Sequence, residues 1–197
     1  MNEDTCTNFW GDKDTSISFC EAKYDKILWI AEYYNTISSF SYILACIPFI
    51  NTKKYRIAWS GVGIGVGSIM LHGTMRYYGQ WLDEISMIMF SYHLLRYVDV
   101  NFPRLWIILI SIYLAQWQYF LIMTTIFCSL QIRSFSIMLK RKENQIYLYL
   151  YSLFFCIGFM CWLLDQFFCP AVQKYQLHAF WHIFTSISIF INMKCIN

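Results

Sequence analysis

The stretch GSIMLHGTMRYYGQWLDE, residues 67–84, joins two long apolar runs of a 197-residue chain. Ser68 and His72 are four residues apart, so a helix places both on one face near its end. We expect a short turn, broken at Gly79, after which the next helix begins with Asp83. Because one helix ends and its neighbour begins on the same side, the sequence predicts that His72 and Asp83 lie close together.

A second polar pair lies in the last apolar run, where residues 177–184 read LHAFWHIF. His178 and His182 are also four residues apart and therefore share one face of a helix. An HxxxH pair alone is a weak signal, because two packing or interfacial histidines form it more often than a metal site does. A lone His72 is compatible with a position at the lipid headgroups, and Asp83 with a solvated helix cap.

Three histidines at matching depth favour a metal site over these alternatives. Three imidazoles bind Zn²⁺ and leave a fourth position for water, whose pKa the metal lowers toward about 7. A nearby carboxylate can accept the proton of that water, and a serine hydroxyl can stabilise a developing oxyanion. The predicted zinc ligands are His72, His178 and His182, and the predicted catalytic groups are Asp83 and Ser68.

The composition predicts a membrane protein. Hydrophobic residues make up 58% of the chain and charged residues 14%, against about 25% charged residues in soluble proteins. The polar, acidic N-terminus shows no cleavable signal peptide. Runs of about 18–20 apolar residues are typical of transmembrane helices. The apolar runs are Leu28–Ile50, Ile57–Met75, Ile85–Tyr97, Leu105–Ile132, Ile146–Phe168 and Tyr175–Met193.

The distribution of charge predicts the orientation of the chain, whose net charge is only +3. If the helices alternate across the membrane, most basic residues fall on one side, which the positive-inside rule identifies as cytosolic. The N-terminus then lies outside or in a lumen. We interpret these basic residues as a signal for membrane topology, and we therefore expect no nucleic-acid binding. These basic residues are Lys53, Lys54, Arg56, Arg104, Arg133, Lys140, Arg141, Lys142 and Lys194.

The run Leu105–Ile132 decides the number of helices. It is long for one span, and a turn at Gln116 and Gln118 would divide it into two spans of about 17 residues. Because His72 lies on the non-cytosolic side, the last helix can begin there with His178 only if that run supplies two helices. The sequence therefore predicts an all-α bundle of seven transmembrane helices.

Glycines in the second helix predict close packing. In GVGIGVGS, residues 61–68, Gly61 pairs with Gly65 and Gly63 with Gly67 at a spacing of four. Such spacing lets helices approach closely in lipid. A merely flexible helix is the alternative.

Taken in order, five pieces of the sequence resemble the alkaline ceramidases, a family of seven-helix membrane hydrolases grouped with the adiponectin receptors. The similarity spans residue 20 to about residue 184. The pieces are CEAKY, WIAEYYN, GSIMLHGTMRYYGQWLDE, WLLDQFFC and QLHAFWHIF.

The resemblance implies a zinc-dependent intramembrane amidase that cleaves ceramide to sphingosine and a free fatty acid. It carries the zinc ligands over to His72, His178 and His182. It also implies that Asp83 takes the proton of a zinc-activated water and that Ser68 stabilises the tetrahedral intermediate. The implied partners are ceramide or a related sphingolipid and the lipid bilayer.

Cysteines on the non-cytosolic side suit a disulfide, but spacing alone does not choose a pair among Cys6, Cys20 and Cys169. The family has a disulfide between the N-terminal segment and the loop before the last helix, and the resemblance assigns it to Cys20 and Cys169. We expect Asp165 to be a helix-end residue close to this bridge.

The N-terminal segment departs from the calcium-dependent members of the family. Those members carry an aspartate and an asparagine where this chain has Ser18 and Lys23, while Glu21 and Glu32 are retained. Calcium takes 6–8 oxygen ligands, and Lys23 adds a positive charge where the cation would lie. We expect a degraded site with weak or absent Ca²⁺ binding, in which Lys23 pairs with Glu32.

We divide the chain into a non-cytosolic N-terminal segment, residues 1–27, a seven-helix hydrolase domain, residues 28–193, and a short cytosolic tail, residues 194–197. The lumenal zinc side favours the endoplasmic reticulum or Golgi. The oligomeric state and the acyl-chain preference stay open.

Two other functions are compatible with the polar groups. One is a receptor-like or regulatory protein with a zinc site and little hydrolysis. Another is a transporter with a proton or ion path, although no inverted repeat is evident. His93, the remaining histidine, is expected to be a packing residue in the third helix.

Overall fold

In a computed structural model, the described residues are 9–98, 104–141 and 144–196. These residues form eight α-helices and two short 3-10 turns, which confirms the all-α prediction. The helices are α1 (Tyr33–Cys46), α2 (Tyr55–Thr74), α3 (Tyr77–Val98), α4 (Leu105–Gln116), α5 (Phe120–Lys140), α6 (Gln145–Phe167), α7 (Cys169–Val172) and α8 (Leu177–Cys195).

The apolar run Leu105–Ile132 contributes to two helices, as the prediction of seven helices requires. Helix α4 ends at Gln116 and α5 begins at Phe120, so a short turn containing Gln118 separates them. Tyr119 at this turn is extended, and its N–H bonds to the Gln116 carbonyl. The described residues therefore contain seven helices of 12 or more residues and the four-residue α7.

Two helices among the described residues, Leu121–Lys140 and Gln145–Phe167, are long and apolar enough to cross a membrane. Helix α6 exposes an apolar residue at every seventh position, namely Ile146, Leu153, Met160 and Phe167. An extended apolar face of this kind is rare on the surface of soluble proteins. Helices α1 and α4 have 14 and 12 residues, and seven membrane spans stay a prediction.

The helices form a ring around a central cavity. In order around the ring, the neighbours are α1, α2, α3, α5, α6 and α8, and α8 packs back onto α1. Helix α4 lies against α3 and α5. The tightest pairs are α2 with α3 and α6 with α8, so the helices that carry the predicted site residues are packed firmly.

Two boundaries differ from the sequence-based expectation. Helix α1 begins at Tyr33 instead of residue 28. The turn between α2 and α3 lies at Met75 and Arg76, where Met75 takes a left-handed conformation with φ 54°. Gly79 lies inside α3 and breaks no helix. A Cβ at Gly79 would lie 2.5 Å from the backbone N of Leu71, so this glycine serves the close approach of α3 to α2.

The paired glycines of α2 face two different neighbours. A Cβ at Gly65 would lie 2.6 Å from Ile43 of α1. A Cβ at Gly67 would lie 2.3 Å from the backbone N of Asp83 in α3. The two i, i+4 pairs thus allow α2 to pack closely on both sides at once, which confirms the prediction of close packing.

The N-terminal segment, residues 9–32, covers one end of the bundle. Its Ala31 and Glu32 N–H groups donate to the carbonyls of Gly73 and His72 at the C-terminus of α2. The last carbonyls of a helix have no partner within it, so these bonds explain why the segment docks there. Arg76 and Asp14 form an ion pair of 2.8 Å across the same contact.

We predict that Gly67→Ala destabilises the protein, because the new methyl group collides with backbone atoms of Asp83. Overpacking of this kind costs roughly 1–3 kcal/mol. Thermal unfolding in detergent measures the effect. Gly73→Ala is the matched control, since the nearest atom to its Cβ is 4.0 Å away. Equal unfolding temperatures for the two variants would contradict the close-packing account.

Candidate metal centre

Three histidines meet at one end of the ring, the end that the N-terminal segment covers. One ligand nitrogen from each of His72, His178 and His182 lies within 4.8 Å of the other two. All three are buried, with at most 4% of their surface exposed. Among the described residues, this is the group of histidine, cysteine and acidic side chains that could hold a metal ion. His93 is not part of it.

Hydrogen bonds orient His72 for metal binding. Its Nδ1 lies 2.5 Å from the Glu32 carboxylate, which accepts the Nδ1 proton. Glu32 is completely buried. A carboxylate behind a ligating imidazole fixes the tautomer and raises the basicity of the ligand. The remaining nitrogen, His72 Nε2, is buried and has no partner among the described residues.

His182 is held by α1. Its Nδ1 lies 3.2 Å from the Asn35 carbonyl and 2.8 Å from Ser38 Oγ. A carbonyl only accepts hydrogen bonds, so the proton lies on Nδ1 and Nε2 carries the lone pair. His178 Nδ1 is likewise buried without a partner in the described part of the chain. Buried polar atoms are normally bonded, so these free nitrogens fit a metal ion.

Ser68 and Asp83 line the same cavity as His178 and His182. Ser68 Oγ accepts a hydrogen bond of 2.9 Å from Ser39 and lies 3.5 Å from His182 Nε2. Asp83 Oδ1 is buried and has no partner within the described residues. The structure thus brings all five predicted site residues to one place, with a free carboxylate oxygen and a hydroxyl beside the histidines.

The cavity is large and mostly apolar. Its volume is about 680 Å³, counting the part that is open to the surroundings. Aromatic side chains of α6 and α8 form one wall, where Trp162 and Trp181 have ring centroids 6.4 Å apart. Glu84 also lines this cavity. A cavity with apolar walls and a few converging polar groups is typical of a small-molecule or lipid site.

The N-terminal segment closes the site from one end. Phe19 packs against His72 and His178, with ring centroids 4.6 and 4.1 Å apart. A disulfide joins Cys20 to Cys169, the pair that the resemblance implies. Asp165 lies beside it and accepts a hydrogen bond of 3.1 Å from the Cys20 N–H. Cys6 lies outside the described residues.

Lys23 occupies a cage of oxygen atoms behind the histidines. Its ammonium group donates to the carbonyls of Phe19 and Glu21, at 2.8 Å each, and forms an ion pair with Glu32. The pairing predicted for Lys23 and Glu32 is therefore present. Because a tethered cation already bonds to these oxygens, a free calcium ion would be repelled from the cage.

Glu21 has a structural task in the same segment. Its two carboxylate oxygens accept hydrogen bonds from the N–H groups of Tyr34 and Asn35, at 2.7 and 2.9 Å. It therefore caps the first turn of α1, whose free N–H groups favour a negative charge. Burial raises the pKa of the Glu21 carboxyl above its ordinary value, and the two hydrogen bonds oppose that shift.

The sequence-based prediction missed the part of α1 that supports the site. Asn35, Ser38, Ser39 and Tyr42 are spaced as i, i+3, i+4 and i+7, which places them on one helix face. This polar stripe in an apolar run was the signal available. It also missed the position of Phe19, for which the sequence offers no local signal.

Comparison with known proteins finds similarity over nearly the whole chain. The chain matches the family described as Ceramidase over residues 11–197. It is 26% identical to an alkaline ceramidase of Arabidopsis thaliana, over 98% of this chain and 86% of that protein. It is 25% identical to alkaline ceramidase 3 of Mus musculus, over 94% of this chain and 84% of that protein.

We predict that Lys23→Gln lowers the unfolding temperature, because the buried Glu32 loses its cationic partner. The Lys23 side chain is 30% exposed, so we expect a loss of about 1–3 kcal/mol, less than for a fully enclosed pair. Lys26→Gln is the matched control, since Lys26 pairs with exposed Asp25. The account is wrong if both variants unfold at the same temperature.

We predict that calcium neither stabilises nor activates the wild-type protein, because the Lys23 ammonium holds the oxygens that a calcium ion would need. Thermal unfolding and activity are followed during a calcium titration in a buffer cleared of calcium by a chelator. Magnesium serves as the control for general ionic effects. A steep, saturable rise in unfolding temperature or activity with calcium alone would refute the prediction.

Proposed function

The chain belongs to the ceramidase family, and on that premise we propose that it hydrolyses the amide bond of ceramide to give sphingosine and a free fatty acid. The observation that carries this proposal is the buried group of His72, His178 and His182, which adjoins a cavity lined by Ser68 and Asp83. The relatives in Arabidopsis thaliana and Mus musculus are named alkaline ceramidases.

We propose zinc as the metal. A donor set of three imidazoles suits Zn²⁺ and leaves a position open, and the bound ion supplies Lewis acidity and a lowered pKa for water. Glu32 and the α1 carbonyl at Asn35 keep the Nδ1 protons of His72 and His182 in place. The lone pairs of both Nε2 atoms are thereby presented to the centre.

Asp83 and Ser68 supply the remaining chemistry. The free Oδ1 of Asp83 can take a proton from the attacking water and return it to the leaving amine. Ser68 receives a hydrogen bond from Ser39, so its own proton is available to the oxyanion that develops on the amide carbonyl. The two groups therefore have different tasks in one acyl-transfer reaction.

The surroundings support a lipid substrate. Apolar side chains such as Ile64, Met123 and Phe127 line the cavity, and α6 exposes large apolar residues on its outer face. We place the protein in a bilayer with seven spanning helices, the N-terminal segment in the lumen and residues 194–197 in the cytosol. The endoplasmic reticulum or Golgi suits a lumenal site closed by the disulfide.

A receptor-like or regulatory protein with the same metal site is the second candidate. A purely structural metal would need no open position beside a carboxylate. The unpartnered oxygen of Asp83 therefore favours an enzyme over this alternative.

We predict that the purified, zinc-loaded protein releases sphingosine from ceramide and that His182→Ala and Asp83→Asn each lower the rate by a hundredfold or more, roughly the contribution of a general base. His93→Ala is the control, because His93 lies outside the histidine group, and it should keep the wild-type rate.

Release of sphingosine is measured by chromatography over a panel of ceramides. Absence of release from every ceramide by folded, zinc-loaded protein would overturn the enzymatic proposal and leave the receptor-like alternative. Equal rates in the wild type and Asp83→Asn would overturn the role given to Asp83.

A further inference from the structure

A second cavity adjoins the first and extends the site away from the histidines. Its volume is about 410 Å³, counting the part that is open to the surroundings, and residues of α1, α2, α3, α5, α6 and α8 line it. The residues that line both cavities are Tyr42, Ile64, Met87, Phe127 and Trp181. A lipid tail bound in the first cavity could therefore extend into the second.

The lining of this second cavity includes a side-chain amide without hydrogen-bond partners. Asn192 lines the cavity and is 1% exposed. Neither its Oδ1 nor its Nδ2 has a hydrogen-bond partner in the described part of the chain. Asn192 lies ten residues beyond His182 on α8, which corresponds to about 15 Å along the helix.

The other polar side chains of the cavity are already engaged. Gln131 donates to Ser91 at 3.0 Å and accepts from the Tyr151 hydroxyl at 3.0 Å. Ser188 donates to the Tyr151 carbonyl at 3.1 Å. Asn192 therefore stands apart, as a buried donor and acceptor without partners beside a cavity that is bounded largely by apolar groups.

A buried amide without partners is unfavourable. Leaving such a group unsatisfied costs about 1–3 kcal/mol, whereas an apolar residue of similar shape would avoid that cost. A saturated lipid tail that reaches Asn192 would leave the amide without hydrogen-bond partners. A hydroxyl group on the tail would supply them, since one hydroxyl can accept from Nδ2 and donate to Oδ1.

We propose that Asn192 forms a polar subsite for the lipid tail and that the protein prefers ceramides whose tail carries a hydroxyl group at this depth over plain aliphatic ones of equal length. This inference rests on the proposed function, because it names the substrate class of the same site. A water molecule held by Asn192 is the competing occupant, and it would give no such preference.

The test compares hydroxylated and plain ceramides of equal length in the wild type and in Asn192→Leu. One substrate series places the hydroxyl on the outer half of the acyl chain, and the other places it on the outer half of the sphingoid chain. We expect the wild type to favour the hydroxylated member of one series. We expect the ratio of kcat/KM values, hydroxylated over plain, to fall by roughly tenfold in the variant.

Two controls keep the comparison interpretable. Phe190→Leu changes an exposed residue of the same helix and should leave the ratio unchanged. Asn192→Leu should unfold at or above the wild-type temperature, because it removes an unpaired amide. Asn192→Val is a smaller replacement that serves if leucine overfills the cavity.

An unchanged ratio in both series, with plain ceramides still hydrolysed, would overturn the subsite and leave the proposed function intact. If no ceramide is hydrolysed at all, the proposed function fails, and the subsite is judged by lipid-induced thermal stabilisation. The hydroxylated lipid must then raise the Tm of the wild type more than the plain lipid does. Loss of that difference in Asn192→Leu supports the subsite, and its persistence overturns it.

Discussion

Glu32 has no exposed surface, and its carboxylate is enclosed between the imidazole of His72 and the ammonium of Lys23. A buried charge is tolerated only when it is paired and hydrogen-bonded. Both carboxylate oxygens of Glu32 have partners. Oε1 pairs with the Lys23 ammonium, and Oε2 accepts hydrogen bonds from His72 Nδ1 and, at 3.0 Å, from Asn35 Nδ2. This one group links the N-terminal segment, the start of α1 and the end of α2, and it sets the tautomer of a candidate metal ligand.

The closure of the site follows from that link. Lys23 reaches Glu32 only because the N-terminal segment lies across the end of the bundle, held by the disulfide between Cys20 and Cys169. The same docking places Phe19 against two of the histidines. A charged cage, a covalent link and an apolar cover thus act together to keep water from the histidines on one side. The mostly apolar cavity lies on the other side.

Much of the site could be predicted from local helix geometry. Ser68 and His72 share a face because they are four residues apart, and the same rule brings His178 and His182 together. The tertiary parts were harder to predict. The turn between α2 and α3 requires Met75, a residue other than glycine, to take a left-handed backbone conformation. No local sequence pattern indicates such a turn. The support from α1 depends on how deeply that helix packs between α2 and α8, and a periodicity of apolar residues does not report depth.

The central claim is that three buried histidines, two of them oriented by hydrogen bonds to Glu32 and to the Asn35 carbonyl, hold one zinc ion. Zinc X-ray absorption spectroscopy on the purified protein tests this claim most directly. The account predicts one zinc per chain, bound by three imidazole nitrogens and one oxygen ligand. It also predicts that zinc is lost in His182→Ala and retained in His93→Ala. Absence of stoichiometric zinc, a shell containing sulfur, or zinc retained in His182→Ala would contradict the account.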